Sequence, residues 1–324
     1  QEDLTHLLQT ANLLPLGECT TEEIGDDAVV RIVNDDVATV ENVDIFTPIH
    51  DDPHIQGEIV ACNATNDVFA MGAVKLLSLQ AFLGYPKDLP EEIVVGVLKG
   101  MKNFMERHDA KLAGGQTITN PVPVFGGIAL GTAHPRDIIY SHGAKPGDVV
   151  LLTKPLGIQP AMRSYRDLKD EKRDALLSEF KESDLKKMQD VAVRLMTFSN
   201  LEVAQAMQEV GVNAATDVTG FGLLGHTGNV SSLSQVDVVI DQIPVIRGTL
   251  KLAEFFGHRL ATGFGAETAG GMLVFLDSSK ADEFRNFLAR KNLPCWPVGK
   301  VMKAKGSPCA CLSQDVQFIE TEFP

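Results

Sequence analysis

A chain of 324 residues is long enough for two domains or one large one. It is 44% hydrophobic and 22% charged, the balance of an ordinary globular protein, which excludes a chain disordered by composition. With 29 Lys plus Arg against 43 Asp plus Glu the net charge is -14, so the basic face of a nucleic-acid binder is not expected, and no apolar run approaches a membrane span.

Gln1 to Leu8 is polar and helix-like, without the pattern of a signal peptide. The chain starts at Gln rather than Met, which leaves room for an upstream piece. Residues 28–33 and 37–46 read as a hairpin around Asn34-Asp35-Asp36. IGDDAVV at 24–30 sets adjacent carboxylates at the loop-to-strand junction before it. That suits Mg²⁺, which takes one or two carboxylates plus phosphate oxygens, although Gly-Asp-Asp is also ordinary turn composition. Asp44 stands near the end of an apolar β-rich run, where an acid must be exposed or paired.

The stretch CNATNDVFAMGA at 62–73 crowds two Asn, a Thr and an Asp ahead of Val68, Phe69, Ala70 and Met71. Read as the start of a helix, it puts Asn63 and Asp67 on one face, beside free N–H groups and the positive end of the dipole. An N-cap at Asn63 or Thr65 accounts for one of these polar residues but not all four. Leu76 to Leu83 reads as a strand closed by Gly84-Tyr85-Pro86. Residues 90–108 are the clearest helix, with Ile93, Val94, Val97, Leu98, Met101, Phe104 and Met105 at helical spacing. LAGGQTI at 112–118 reads as a turn whose glycines admit a ligand close to the backbone. It lacks the spacing and Lys of a P-loop. Val122 to Ala133 is strand-like.

A break at His142-Gly143-Ala144-Lys145-Pro146-Gly147 divides the chain, giving expected domains 1–145 and 146–324. Asp148 to Thr153 begins a new strand, followed by the turn Lys154-Pro155-Leu156-Gly157. Residues 165–190 are dense in charge and read as solvated helices. A helix over 201–210 stops at Gly211. A strand at 213–218 delivers Asp217 into TGFGLLGH, where Gly220, Gly222 and Gly225 relax the backbone for an anion or nucleotide and Leu223-Leu224 opens a helix. His226 reads as structural. A strand at 272–276, a helix at 281–291 and a strand-rich tail complete the chain. Five cysteines (Cys19, Cys62, Cys295, Cys309, Cys311) form no framework, so reduced thiols and a cytoplasmic location are expected. Cys309-Ala-Cys311 has no matching pair or nearby His for a metal, and no Ser/His/Asp or Cys/His arrangement emerges.

Taken in order, GDDAVV, VDIFTP, NATNDVFAMGA, LAGGQTI, TKPLG and TDVTGFGLLGH resemble selenophosphate synthetase, of the superfamily that includes aminoimidazole ribonucleotide synthetase. ETAGGML at 267–273 is similar to a further family segment, with Ala269 in place of Ser. The resemblance implies a two-domain α+β fold, whose first domain has a mixed or antiparallel sheet that pairs in a homodimer and whose second is an α+β sandwich. It implies conversion of ATP, selenide and water to selenophosphate, orthophosphate and AMP. It makes Asp27, Asp44, Asp67 and Asp217 metal ligands for several Mg²⁺ ions, with a monovalent cation such as K⁺ as a further cofactor. It makes Gly25, Asp26, Asp44, Asn63, Asp67, Gly114, Gly115 and Gln116 contacts of ATP, with Gln116 where some members have His. A selenium-delivery protein is an implied partner; nucleic acid and membrane are not.

The family's Cys or selenocysteine and nearby Lys would precede QEDLTHLLQ, so no catalytic residue of that kind is expected within this chain, and a truncated, less active form is the expectation. Two other readings stay open: a superfamily relative acting on a ribonucleotide or a thiamine phosphate, and a non-catalytic nucleotide-binding homologue.

Overall fold

The structure is a computed structural model that describes residues 7, 10, 11 and 26–323. The expectations for Gly25, Cys19 and most of the first eight residues lie outside them. Strands β1 (Val29–Asn34) and β2 (Val37–Phe46) form the expected antiparallel hairpin. Asn34 closes it, its Oδ1 accepting the N–H of Asp36 at 2.9 Å and of Val37 at 3.0 Å. With β3 (Lys75–Tyr85), β4 (Lys111–Thr119) and β5 (Val124–Ala133) it builds a sheet of order β1-β2-β5-β3-β4. β3 and β4 run parallel and the other pairs antiparallel, so the sheet is mixed as expected.

Alternation along β2 gives this sheet two faces. Ala38 and Val40 are buried, whereas Val43 and Ile45 are exposed on the other side. The buried face is covered by α1 (Pro53–Ala70) and α2 (Glu91–Glu106). Asp52 caps α1, accepting from the N–H groups of His54 and Ile55, and Pro53 occupies the first turn. The two helices cross at backbone contact. A Cβ on Gly57 would fall 2.0 Å from the Val97 carbonyl, and one on Gly100 would fall 2.0 Å from that of His54.

The start of α1 corrects one expectation. Asn63 and Asp67 lie in its second half, so the helix mouth is at residue 52 and the free N–H groups there are not beside them. A second correction concerns 112–118, which lies within β4 rather than in a turn. Gly115, at φ 145°, is needed because a Cβ there would meet the Ala81 carbonyl at 2.0 Å.

The second sheet has order β11-β8-β10-β6-β9-β7, from β6 (Asp148–Leu152), β7 (Ala214–Asp217), β8 (Val236–Ile246), β9 (Met272–Asp277), β10 (Trp296–Lys303) and β11 (Ala310–Thr321). Helices cover both of its faces: α3 (Ile158–Asp167), α4 (Arg173–Glu179), α5 (Glu182–Thr197), α6 (Leu201–Val210) and α9 (Ala281–Ala289) on one, and α7 (Gly222–Ser234) on the other, while α8 (Thr249–Phe256) contributes Leu252 to the first side and Ala253 to the second and packs against α3. Residues 165–190 are not simply solvated. Leu185, Met188, Val191, Ala192, Leu195 and Met196 give α5 a buried face, and the charges occupy its outer side. One apolar cluster runs from Val68 and Phe69 of α1 through Leu195 and Met207 to Val274 of β9. The seam between the two sheets is therefore packed core, and α1 sits at its centre. Among the described residues no helix is long and apolar enough to cross a membrane.

Candidate functional site

Four elements bring carboxylates to one end of that seam. Asp27 precedes β1, Asp44 stands on the helix-covered face of β2, Asp67 lies in the last turn of α1, and Asp217 ends β7. An amide or hydroxyl orients each of three. Asp44 Oδ2 accepts from Asn63 Nδ2 at 3.0 Å and Asn42 Nδ2 at 3.1 Å. Asp217 Oδ2 accepts from Asn66 Nδ2 at 3.3 Å, and Asp27 Oδ1 accepts from Thr216 Oγ1 at 2.8 Å. Asp27 Oδ2 is buried with no partner. Ligand atoms of Asp27, Asp217 and His226 lie within 4.8 Å of one another.

Three of the four crowded polar residues in α1, Asn63, Asn66 and Asp67, thus have tertiary partners. Asn63 Oδ1 accepts the N–H of Ala269 at 2.6 Å while its amide holds Asp44. Asn66 donates to Asp217 and to the Gly270 carbonyl at 3.2 Å, and accepts from Asn200 at 3.0 Å. Thr65 returns its hydroxyl to the Ala61 carbonyl at 2.9 Å. The spacing that put Asn63 and Asp67 on one face holds, because both line the same cleft.

Burial raises the pKa of all four acids, and repulsion adds to it for Asp27, Asp67 and Asp217. Asp27 is pushed well up by burial, then by Asp217 and Asp26. Asp67 is pushed well up by burial, then by Asp217, Asp44 and Asp27. Burial lifts Asp217 to about 7, with Asp44 adding to the shift. Asp44 rises by burial, opposed by its two Asn donors. A side-chain hydrogen bond between Asp67 and Asp217 raises the pKa of the first and lowers that of the second. Four acids converging with one buried oxygen orphaned is a costly arrangement in protein alone. It fits a hard divalent cation, which favours oxygen ligands and reverses these shifts.

The cleft over the cluster encloses about 290 Å³ and is lined by Asp44, Asn63, Asp67, Thr219, Gly220, Glu267 and Thr268 among others. Its far wall is the 267–271 loop, held in a strained shape. Ala269 has φ 48°, fixed by Asn63 from one side and by Lys154 from the other. Lys154 is fully buried, and its Nζ donates to the carbonyls of Leu195 at 2.9 Å, Phe198 at 2.7 Å and Ala269 at 2.8 Å. Glu267, also buried, accepts the N–H groups of Gly157 and Ile158 at the start of α3, both at 2.8 Å; burial lifts its pKa to about 8.

Other expectations fare differently. Asp26 borders the cluster, its Oδ1 accepting the N–H groups of Asp27 and Ser141, both at 3.0 Å. Gly114, Gly115 and Gln116 lie apart from the acids in this chain: the register runs Asp44, Gly127, Ala81, Gly115 across the sheet. Three strand spacings make that about 14 Å. Asn66, Asn200, Lys154 and Glu267 escaped sequence reasoning as site-builders, since each acts through contacts distant in the chain, and Asn42 escaped it although it sits two residues from Asp44. His226 is structural as expected, its Nε2 accepting the Thr219 N–H at 3.1 Å and its pKa lowered by burial to about 4, yet it also borders Asp27 and Asp217. Cys62 is buried, with its thiol pKa raised to about 11, and Cys309 and Cys311 are exposed.

Comparison with known proteins places this geometry. Residues 25–133 match the AIR synthase related protein N-terminal domain and residues 145–308 the corresponding C-terminal domain. A selenide, water dikinase of Methanococcus maripaludis is 41% identical over 92% of this chain and 89% of its own. One from Trypanosoma brucei brucei is 32% identical over 99% of this chain and 86% of its own. Among solved structures, AaThiL complexed with AMPPCP and TMP superposes with a TM-score of 0.75 at 16% identity, over 100% of this chain and 96% of that one, which shows a shared fold.

Proposed function

The chain belongs to the selenide, water dikinase family of AIR synthase related proteins, and from that premise we propose that it makes selenophosphate from selenide, ATP and water at the aspartate-lined cleft, releasing orthophosphate and AMP. The observation that carries this reading is the meeting of Asp27, Asp44, Asp67 and Asp217 at one end of the seam. A polyphosphate cannot approach four carboxylates unaided. Mg²⁺ ions held by these acids would screen the phosphates and take up charge as phosphoryl groups leave.

The protein's own part is positioning. Asn63 and Asn66 present Asp44 and Asp217, while the same two side chains hold the 267–271 loop against the cleft. Thr219 and Gly220 line the cleft where backbone can approach phosphate closely. Asp26 and Gly25 belong to the nucleotide end in this reading. Gly114, Gly115 and Gln116 sit on an exposed sheet edge, open to a nucleotide that reaches beyond one chain's cleft. A homodimer through the first sheet is supported by the exposed apolar side chains Val43, Ile45 and Ile128 on its uncovered face. Residues 1–145 would then form the metal, nucleotide and pairing domain, and 146–324 the second domain.

The test is product analysis. Phosphorus NMR of the protein with Mg²⁺, ATP and selenide under reducing conditions should show AMP, orthophosphate and selenophosphate in equal amounts. ADP as the only nucleotide product would overturn the reading.

A further inference from the structure

The acidic cleft continues past its far wall. A second cavity of about 230 Å³ shares Thr47, Ile49, Glu267 and Thr268 with it, and ends at Arg163 and Arg166 of α3. In a chain of net charge -14 this end is basic. Arg163 spends its Nε on Asp167 at 2.9 Å, leaving its terminal amino groups available. Arg166 is exposed, and its guanidinium has no hydrogen-bonded partner among the described residues. His258 lies close enough to both arginines for each to lower its pKa, after burial, and its Nδ1 is buried without a partner. Two carboxylates adjoin the arginines: Asp167, paired with Arg163, and Glu267 in the shared wall, turned to the N–H groups of Gly157 and Ile158 with its pKa lifted by burial to about 8, so the cluster keeps unused donors.

Resting on the reading of the acidic end given above, we propose that Arg163 and Arg166 form an oxyanion subsite at the opposite end of the same cleft, which holds a phosphate-class product, orthophosphate or selenophosphate, on its way out. Two guanidinium groups one helical turn apart suit a tetrahedral oxyanion with several acceptor oxygens, whereas hydrogen selenide presents a single soft atom. The shared wall places this subsite next to the metal end without overlapping it. A product formed among four acids is drawn away from them by the nearest surplus of positive charge.

The experiment is calorimetric titration of inorganic phosphate, and separately of thiophosphate as a stable stand-in for selenophosphate, into the protein and into Arg166→Ala and Arg166→Lys. Arg166 is exposed, so both variants should fold. Arg166→Ala should weaken oxyanion binding about tenfold, the value of one charge-assisted hydrogen bond, with Arg166→Lys between. The inhibition constant for added orthophosphate should move by the same factor while the affinity for Mg²⁺-nucleotide stays put. The tighter of the two probes identifies which product the subsite holds. Equal phosphate affinity in Arg166→Ala and the parent would overturn the proposal, as would phosphate binding that disappears in Asp67→Asn, which would place the anion at the metals. Failure of the acidic-end reading would show separately, as loss of nucleotide binding or AMP formation in the parent with the arginine effect intact.

Discussion

Asp67 sits at the unfavourable end of its helix. It lies in the last turn of α1, where the dipole is negative, and it is buried facing three other carboxylates. Only a cation makes that position favourable. Asp67→Asn should therefore abolish Mg²⁺-dependent nucleotide binding and cut activity by a hundredfold or more, on the order of losing one metal ligand. The same variant should leave the melting temperature of the metal-free protein unchanged or higher, because it removes a buried like charge. A lower metal-free melting temperature would contradict this account of the site. The pH dependence has a definite sign. Asp217, raised from 3.8 to about 7, contributes stability below its unfolded value, and that contribution is lost as pH rises towards 7. Metal must displace those protons, so the Mg²⁺-induced rise in melting temperature should be larger at pH 8 than at pH 5.5. A scanning calorimetry series with and without Mg²⁺ reads both effects.

At the scale of the element, α1 is the centre of the molecule. It is packed by β2 and β5 on one side, α2 on another and α5 to α6 on a third, so its apolar residues show no single stripe. That is why periodicity did not locate its start. The signal that does is local: Asp51-Asp52-Pro53, an N-cap followed by Pro in the first turn. The polar residues 63–67 then fall in its second half, and the positive-dipole argument fails for them even though their shared face survives. Because α1 and α2 touch at Gly57, Gly57→Ala should push the helices apart and cost about 2 kcal/mol or more, a typical overpacking penalty. Chemical denaturation measures it. An unchanged midpoint would mean the crossing is not as close as described. β4 failed for a different reason. Its glycines resemble a turn by composition, but Gly115 is required by close approach to β3, a partner that lies about thirty residues back in sequence.

For the whole molecule, the uncovered face of the first sheet is the feature a monomer leaves unexplained. Val43 is 58% exposed and stands opposite Ile128, itself 41% exposed, at the centre of the sheet. Val43→Glu would place charge in a homodimer interface, so light scattering should find the parent dimeric and the variant monomeric, with fold intact by circular dichroism. Dimers of equal stability would remove this face from the interface. The sequence by itself determined the elements whose cause is local: the β1–β2 hairpin through its Asn34 turn, α2 through helical spacing, the strand-to-helix step after Asp217, and, through motif order, the family. Tertiary structure decided what each polar residue is for. Asn63, Asn66, Asn200, Lys154 and Glu267 take partners from about 19 to more than 200 residues away, and hydrogen bonds of that reach leave no periodic trace in the chain. The acidic and basic cavities share a wall for the same reason, since α3, β2 and the 267–271 loop meet only when both sheets pack against a common core.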